Sequence, residues 1–209
     1  PVTVRTEGAG AVTGSLPRVA ILISGTGSNM CSIIDTAQEQ SWPLSCVLVL
    51  SDRPEAPGLH RATERGIATR TVHYRDYRGR RTDFDSKLLE VLQEMDVDWV
   101  VLAGFMRILG RGFVESFPNR ILNIHPSLLP KYPGLDTFKR ALEAGDTVAG
   151  CTVHLVNEAV DAGPVLGQAE VPVLHGDTED TLRARVLEQE HILYPAMVKE
   201  RYVEILRAD

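Results

Sequence analysis

The 209-residue chain reads as an α/β protein. The expected architecture is a Rossmann-like, mostly parallel sheet with helices on both faces. A C-terminal part with antiparallel strands and a long terminal helix follows. Three observations predict it. Short apolar runs without polar alternation, Val-Ala-Ile-Leu-Ile-Ser at 19–24 and Trp-Val-Val-Leu-Ala at 99–103, suit strands buried on both faces. Segments with helical apolar spacing separate such runs, which implies right-handed βαβ units. After Pro133 the rhythm changes to longer strand-like segments and one long helical one.

The first strand is expected over 19–24, and a glycine-rich turn leads into a helix over about 28–40. Residues 44–50 read as a second buried strand, 58–65 as a short helix stopped by Gly66, and 68–72 as a third strand. In 83–95, Phe84, Leu88, Val91, Leu92 and Met95 recur at helical spacing. A strand over 99–103, a short helix over 112–117 and a strand over 121–124 follow. Beyond Pro133, 137–144 is a helix stopped by Gly145, and 150–156 and 165–173 are strands expected to pair antiparallel. Thr178 starts the long helix, with Glu179 and Asp180 favourable at the positive end of its dipole. Residues 1–17, polar and rich in Gly, Ala and Thr, read as a flexible tail. Residues 18–209 read as a single domain with a phosphate-binding half over 18–125 and a catalytic half over 126–209.

Composition narrows the function. No apolar run approaches the roughly 20 residues that a membrane helix needs, and no basic start with an apolar block marks a secretory leader. Cys31, Cys46 and Cys151 are odd in number and far apart, which argues against a disulfide framework or a zinc site and fits a reducing cytoplasm. The net charge of −6 argues against general nucleic-acid binding, so an anionic substrate must be held by a local device.

Such a device is Ser24-Gly25-Thr26-Gly27-Ser28-Asn29, between a buried strand and a helix. Glycines let the backbone approach an anion, and the helix start offers free N–H groups and partial positive charge. It is neither a Walker A loop, since no Gly-Lys-Ser/Thr follows, nor a full dinucleotide fingerprint, since Met30 takes the third glycine position. Asp52, after the second strand, stands where a ribose-binding acid belongs in a dinucleotide site. A tight turn capped by Ser28 is the bland alternative.

The stretch from Arg120 to Gly134 begins as a strand, so Asn123 and His125 share one side. Pro126, Pro130 and Pro133 then stiffen a loop at the carboxyl end, where ligands bind in open α/β sheets. An amide and an imidazole side by side suit an oxyanion, and the imidazole also moves protons near neutral pH. Packing of His125 and loop-capping by Asn123 remain the alternative. Asp161, in Asp-Ala-Gly-Pro, is either a carboxylate that favours a charged His125 or part of a turn. His154 either supports this site or packs.

Together these motifs resemble the phosphoribosylglycinamide formyltransferase family, the folate-dependent formyltransferases of purine synthesis. The resemblance spans roughly 18–200 and rests on Ile-Ser-Gly-Thr-Gly-Ser-Asn at 23–29, Leu-Ala-Gly-Phe-Met-Arg-Ile-Leu at 102–109, the Asn-x-His-Pro stretch, Asp-Ala-Gly-Pro at 161–164 and Gln-Glu-His at 189–191. It implies that Asn123, His125 and Asp161 are catalytic, and that Gly27, Ser28, Asn29 and Glu190 bind phosphoribosylglycinamide. Arg81, Met106, Arg107, Ile108 and Leu109, with Asn157, Glu158, Ala159, Val160 and Asp161, would bind 10-formyltetrahydrofolate as co-substrate. The half over 126–209 then becomes the folate and catalytic half. A solvated basic loop is the alternative for Arg81. Leu187 departs from the polar or basic residue that the resemblance leads one to expect near the substrate phosphate or ribose.

The resemblance implies direct attack by the substrate amine on the formyl carbon. Asn123 and His125 stabilise the tetrahedral oxyanion, Asp161 assists proton transfer, and no metal is required. The expected partners are these small molecules, without nucleic acid or membrane, and a homodimer stays open. A methionyl-tRNA formyltransferase would be expected to carry a further RNA-binding domain, and a formyltetrahydrofolate hydrolase a regulatory one. A non-catalytic dinucleotide-binding module explains Gly25, Gly27 and Asp52 but not the Asn123–His125 stretch.

Overall fold

The structure, a computed structural model, describes residues 15–208, so most of the tail expected over 1–17 lies outside the described residues. The first half consists of β1 (Arg18–Ile23), α1 (Ser28–Glu39), β2 (Ser45–Ser51), α2 (Pro57–Glu64), β3 (Thr69–Thr71), α3 (Arg81–Glu94), β4 (Trp99–Leu102), α4 (Arg111–Ser116) and β5 (Ile121–His125). Then come α5 (Thr137–Glu143), β6 (Val148–Leu155), β7 (Val165–Pro172) and α6 (Glu179–Ala208). One seven-stranded sheet runs in the order β3-β2-β1-β4-β5-β6-β7. The first five strands are parallel; β6 is antiparallel to β5, and β7 to β6.

The strand period of two builds two cores. Val19, Ile21 and Ile23 face a cluster containing Met30 and Ile33 of α1 and Val186, Tyr194 and Val198 of α6. Ala20 and Leu22 face the other side, against Phe84, Leu88 and Leu92 of α3 and Phe113 of α4. Ile21 and Leu22 are fully buried, which stabilises by about 1.5–3 kcal/mol per side chain of this size. The long helix α6 is tied to the sheet centre, where the Tyr194 hydroxyl donates to the Leu102 carbonyl at 2.6 Å.

The Arg-rich stretch read as a loop is ordered differently. Tyr74–Tyr77 forms a 3-10 turn, and Arg81 is already the first residue of α3. Aromatic packing explains this early start, since Tyr74 and Tyr77 both meet Phe84 of α3 edge-on. Chain order reverses between β1 and β4, so the crevice at the carboxyl ends of these strands is the favoured binding place.

Candidate active site

A cavity of about 630 Å³ opens at that crevice and extends to the carboxyl end of β5. Three stretches of chain supply its chemistry.

The first is the turn after β1. Gly27 has φ of +70°, and a Cβ on it would lie 3.0 Å from the Gly58 Cα, so a side chain there would be strained twice over. The Gly58 N–H donates to the Gly25 carbonyl at 3.0 Å and holds the turn against the start of α2. No side chain caps α1, whose N-cap is Gly27, so the Ser28-capped turn of the bland alternative is absent. The first-turn N–H groups have no intrahelical acceptor and remain available to an anion. Asn29 lines the cavity, whereas Gly27 and Ser28 are not among its lining residues. Asn29 Nδ2 donates to Glu190 Oε2 of α6 at 2.8 Å, and its Oδ1 is buried without a protein partner. Burial pushes the Glu190 carboxyl up, with the Asn29 hydrogen bond working against it.

The second stretch follows β4. Met106, Arg107, Ile108 and Leu109 line the cavity, and Met106 and Ile108 are exposed apolar residues. The Met106 N–H donates to Ser24 Oγ at 2.9 Å, and Ser24 Oγ donates onward to Asp52 Oδ1 at 2.6 Å. Arg107 Nε donates to Asp52 Oδ2 at 2.6 Å, and its guanidinium lies 3.8 Å from the Tyr74 ring centre. Asp52 is fully buried. Its expected role as a ribose-binding acid is therefore corrected, because both oxygens are spent inside the protein. Arg81 is not among the lining residues; its charge acts on Asp85, whose carboxyl burial raises and the Gly110 N–H lowers.

The third stretch joins β5, its loop and the turn after β6. The antiparallel register sets Asn123 opposite His154, with Asn123 Nδ2 3.3 Å from His154 Nε2. His154 Nδ1 is 3.0 Å from the Leu155 carbonyl, which can only accept. The proton therefore sits on Nδ1, and Nε2 is free to accept from Asn123. Burial holds the His154 imidazole below its ordinary value, so the neutral ring this arrangement needs is favoured.

His125 is buried and held at both nitrogens: Nε2 lies 2.8 Å from the Tyr132 carbonyl and Nδ1 3.3 Å from Asp161 Oδ2. A doubly protonated ring satisfies both acceptors at once. Asp161 Oδ2 also accepts the Gly134 N–H at 2.9 Å, and its Oδ1 lies 3.7 Å from His154 Nε2. Asn157, Glu158, Ala159, Val160 and Asp161 all line the cavity.

The structure thus gathers Asn123, His125, Asp161, Asn29, Glu190, Met106–Leu109 and 157–161 around one cavity. Sequence reasoning missed the Lys131–Leu135 loop as a polar partner of the site. Its signal was Pro126, Pro130 and Pro133 within a few residues of His125, enough to turn the chain back over its own strand. Arg183 of α6, also unforeseen, lines the cavity. Among the described residues no group of three or more His, Cys, Asp or Glu is placed to hold a metal ion.

The model of the formyl transferase family matches residues 17–198. Phosphoribosylglycinamide formyltransferase of Escherichia coli is 47% identical over 180 residues, which cover 86% of this chain and 84% of that protein. The trifunctional purine biosynthetic protein adenosine-3 of Drosophila melanogaster is 47% identical over 180 residues, and the chain spans only 13% of its length. The Gallus gallus protein of that name is 46% identical over 190 residues, with 19% of its length spanned. Among solved structures, glycinamide ribonucleotide transformylase 1 of Symbiobacterium toebii superposes with a TM-score of 0.88 at 45% identity, over 95% of this chain and 94% of that one. Phosphoribosylglycinamide formyltransferase of Brucella melitensis gives a TM-score of 0.84 at 48% identity, over 90% and 96%.

Proposed function

The chain belongs to the formyl transferase family, and from that premise we propose that it transfers a formyl group from 10-formyltetrahydrofolate to the amine of N1-(5-phospho-D-ribosyl)glycinamide. The observation that carries this reading is the His125–Asp161 contact of 3.3 Å beside Asn123, in one cavity with Asn29 and Glu190. A proton-handling pair and an amide donor thus share a space with a helix start suited to phosphate.

The N–H groups at the start of α1, with Ser28 and Asn29, hold the phosphate. Glu190 accepts from the ribose hydroxyls. The backbone of Met106–Leu109 and of 157–161 holds the folate ring, and exposed Met106, Ile108 and Val160 give it apolar cover. Arg81 stands as a contact to the folate's outer part.

The folate supplies an activated formyl carbon, which the substrate amine attacks directly. Asn123 Nδ2 carries two hydrogens; His154 takes one and the other serves the oxyanion. His125, whose two nitrogens face the Tyr132 carbonyl and Asp161, contributes the positive charge of its ring beside that oxygen. Asp161 holds His125 and receives the amine proton, which passes to the departing folate nitrogen as the carbon–nitrogen bond breaks. One formyl group moves, and no net proton is gained or lost within the site.

Folate absorbance with and without the ribonucleotide tests the reading. Turnover that requires phosphoribosylglycinamide supports the transferase. Equal turnover without it points to hydrolysis, and none in either case overturns formyl transfer.

A further inference from the structure

His125 works from one ring nitrogen because the other is committed. Its Nε2 lies 2.8 Å from the Tyr132 main-chain carbonyl, a group that can only accept. That leaves Nδ1, 3.3 Å from Asp161, as the nitrogen that faces the carboxylate and can exchange a proton with it. The hydrogen bond on the far nitrogen decides which one does the chemistry.

The Tyr132 carbonyl is not where an unconstrained chain would put it. Tyr132 has φ of +52°, in the left-handed region that L-residues avoid because Cβ crowds the backbone. The next residues present a second inward group, the Gly134 N–H on Asp161 Oδ2 at 2.9 Å. The same short loop therefore touches both members of the His125–Asp161 pair.

Most of what holds the loop lies on its outer side. The Tyr132 hydroxyl donates to Asp146 Oδ2 at 2.8 Å, and Lys131 Nζ is 3.1 Å from Asp146 Oδ1. Asp146 sits in the turn between α5 and β6, and its carboxyl is held low by the Tyr132 hydroxyl and then by Lys131. Arg140 of α5 donates from Nη1 to the Pro133 carbonyl at 2.7 Å and the Leu135 carbonyl at 3.1 Å. Its guanidinium also lies 5.1 Å from the Tyr132 ring centre. Inside, Ser127 Oγ lies 2.6 Å from the Lys131 carbonyl and 3.3 Å from the Tyr132 carbonyl and steadies both from that side.

We propose that Tyr132, Asp146 and Arg140 are positioning residues. They clamp the 131–135 loop from outside so that the Tyr132 carbonyl holds Nε2 of His125 and leaves Nδ1 as the working nitrogen. None of the three lines the main cavity, so they act through His125 and not on substrate. The inference rests on the formyl-transfer reading of that site.

Tyr132→Phe keeps the carbonyl and the ring but removes the anchor to Asp146, and Asp146→Asn weakens the same anchor from the other end. Each is expected to lower kcat about five- to ten-fold, the worth of one positioning hydrogen bond, with KM for both substrates within about two-fold. Nitrogen-15 spectra of histidine-labelled protein, with the His125 signals identified by His125→Gln, supply the second readout. In the wild type the neutral ring is expected as the Nε2–H form, and in both variants as a mixture of the two neutral forms.

Variants with wild-type kcat overturn the proposal. A fall in kcat with an unchanged ring form overturns it too, because the loss then runs by another route. If Tyr132→Phe is unstable, Asp146→Asn carries the test alone. Absence of formyl transfer in the wild type sinks the underlying reaction instead, which keeps the two failures apart; the ring form still judges the clamp.

Discussion

His154 Nε2 stands 3.3 Å from Asn123 Nδ2, across the one antiparallel junction that β5 makes. Its other nitrogen is tied to the Leu155 carbonyl, so a buried neutral imidazole orients the amide proposed to serve the oxyanion. His154→Leu is expected to lower kcat about ten-fold through the freed amide. His154→Gln, which retains an acceptor, should recover part of the loss. Steady-state kinetics on the two folded variants decide this, and equal activity in both would remove the orienting role.

The residues proposed as catalytic should cost more. Asn123→Ala and Asp161→Asn are each expected to lower kcat by about 10²–10³-fold, the usual worth of one aimed electrostatic group. Circular dichroism should remain that of the wild type. Wild-type-like turnover in either variant would remove that residue from the chemistry.

Two buried groups make stability depend on pH in opposite directions. Burial holds His154 below its ordinary value of 6.5, against the Leu155 carbonyl and the Asp161 charge. The unfolded chain therefore takes up this proton first as pH falls. The contribution of His154 is full above about 6.5 and is lost as pH falls through its lower folded value. Glu190 is the reverse: burial raises its carboxyl above 4.5, so its contribution is full at low pH and lost as pH rises through the folded value. Thermal melts of Glu190→Gln should show a gain over wild type at about pH 8 that disappears near pH 4. A gain of the same size at both would assign the effect to packing alone.

The proposed phosphate site at the start of α1 predicts inhibition. Ribosylglycinamide analogues with a phosphate should compete with substrate, and those without it should bind at least ten-fold more weakly, as expected when charge-assisted hydrogen bonds are lost. Ser28→Ala with Asn29→Ala should erase most of that difference. Inhibition constants that ignore both changes would place the phosphate elsewhere.

Ser24 and Asp52 make a structural prediction. Ser24→Ala leaves a fully buried carboxylate with one donor fewer and frees the Met106 N–H. It should destabilise the protein by about 1–3 kcal/mol in urea titrations. Nicotinamide dinucleotides should produce no binding heat with the wild type, because the acid that would meet their ribose is already occupied.

The apolar runs at β1 and β4 and the helical spacing of α3 were legible because each depends on residues near one another in the chain. The same holds for Asn123 and His125 on one side of β5, which needs only the strand period. Asp161 was found through its motif, while its distance to His125 came from folding. What the sequence could not disclose are pairings across large separations. Asn29 meets Glu190 across 161 positions, and Arg107 meets Asp52 across 55. Asp52 looked like a ligand-binding acid at its strand end, and only the packing of β1, β2 and the segment after β4 shows its oxygens already satisfied.

The loop over His125 lies between these cases. Its prolines announced a stiff turn, but the pose of one main-chain carbonyl depends on the phenol of its own residue together with a carboxylate and a guanidinium gathered from beyond the loop. The sequence by itself determined the layers of the fold and the side chains that face the crevice, because strand and helix periods are local. Tertiary structure decided which nitrogen of His125 meets Asp161 and which acid is spent, because a hydrogen bond is directional and its partner is chosen by packing.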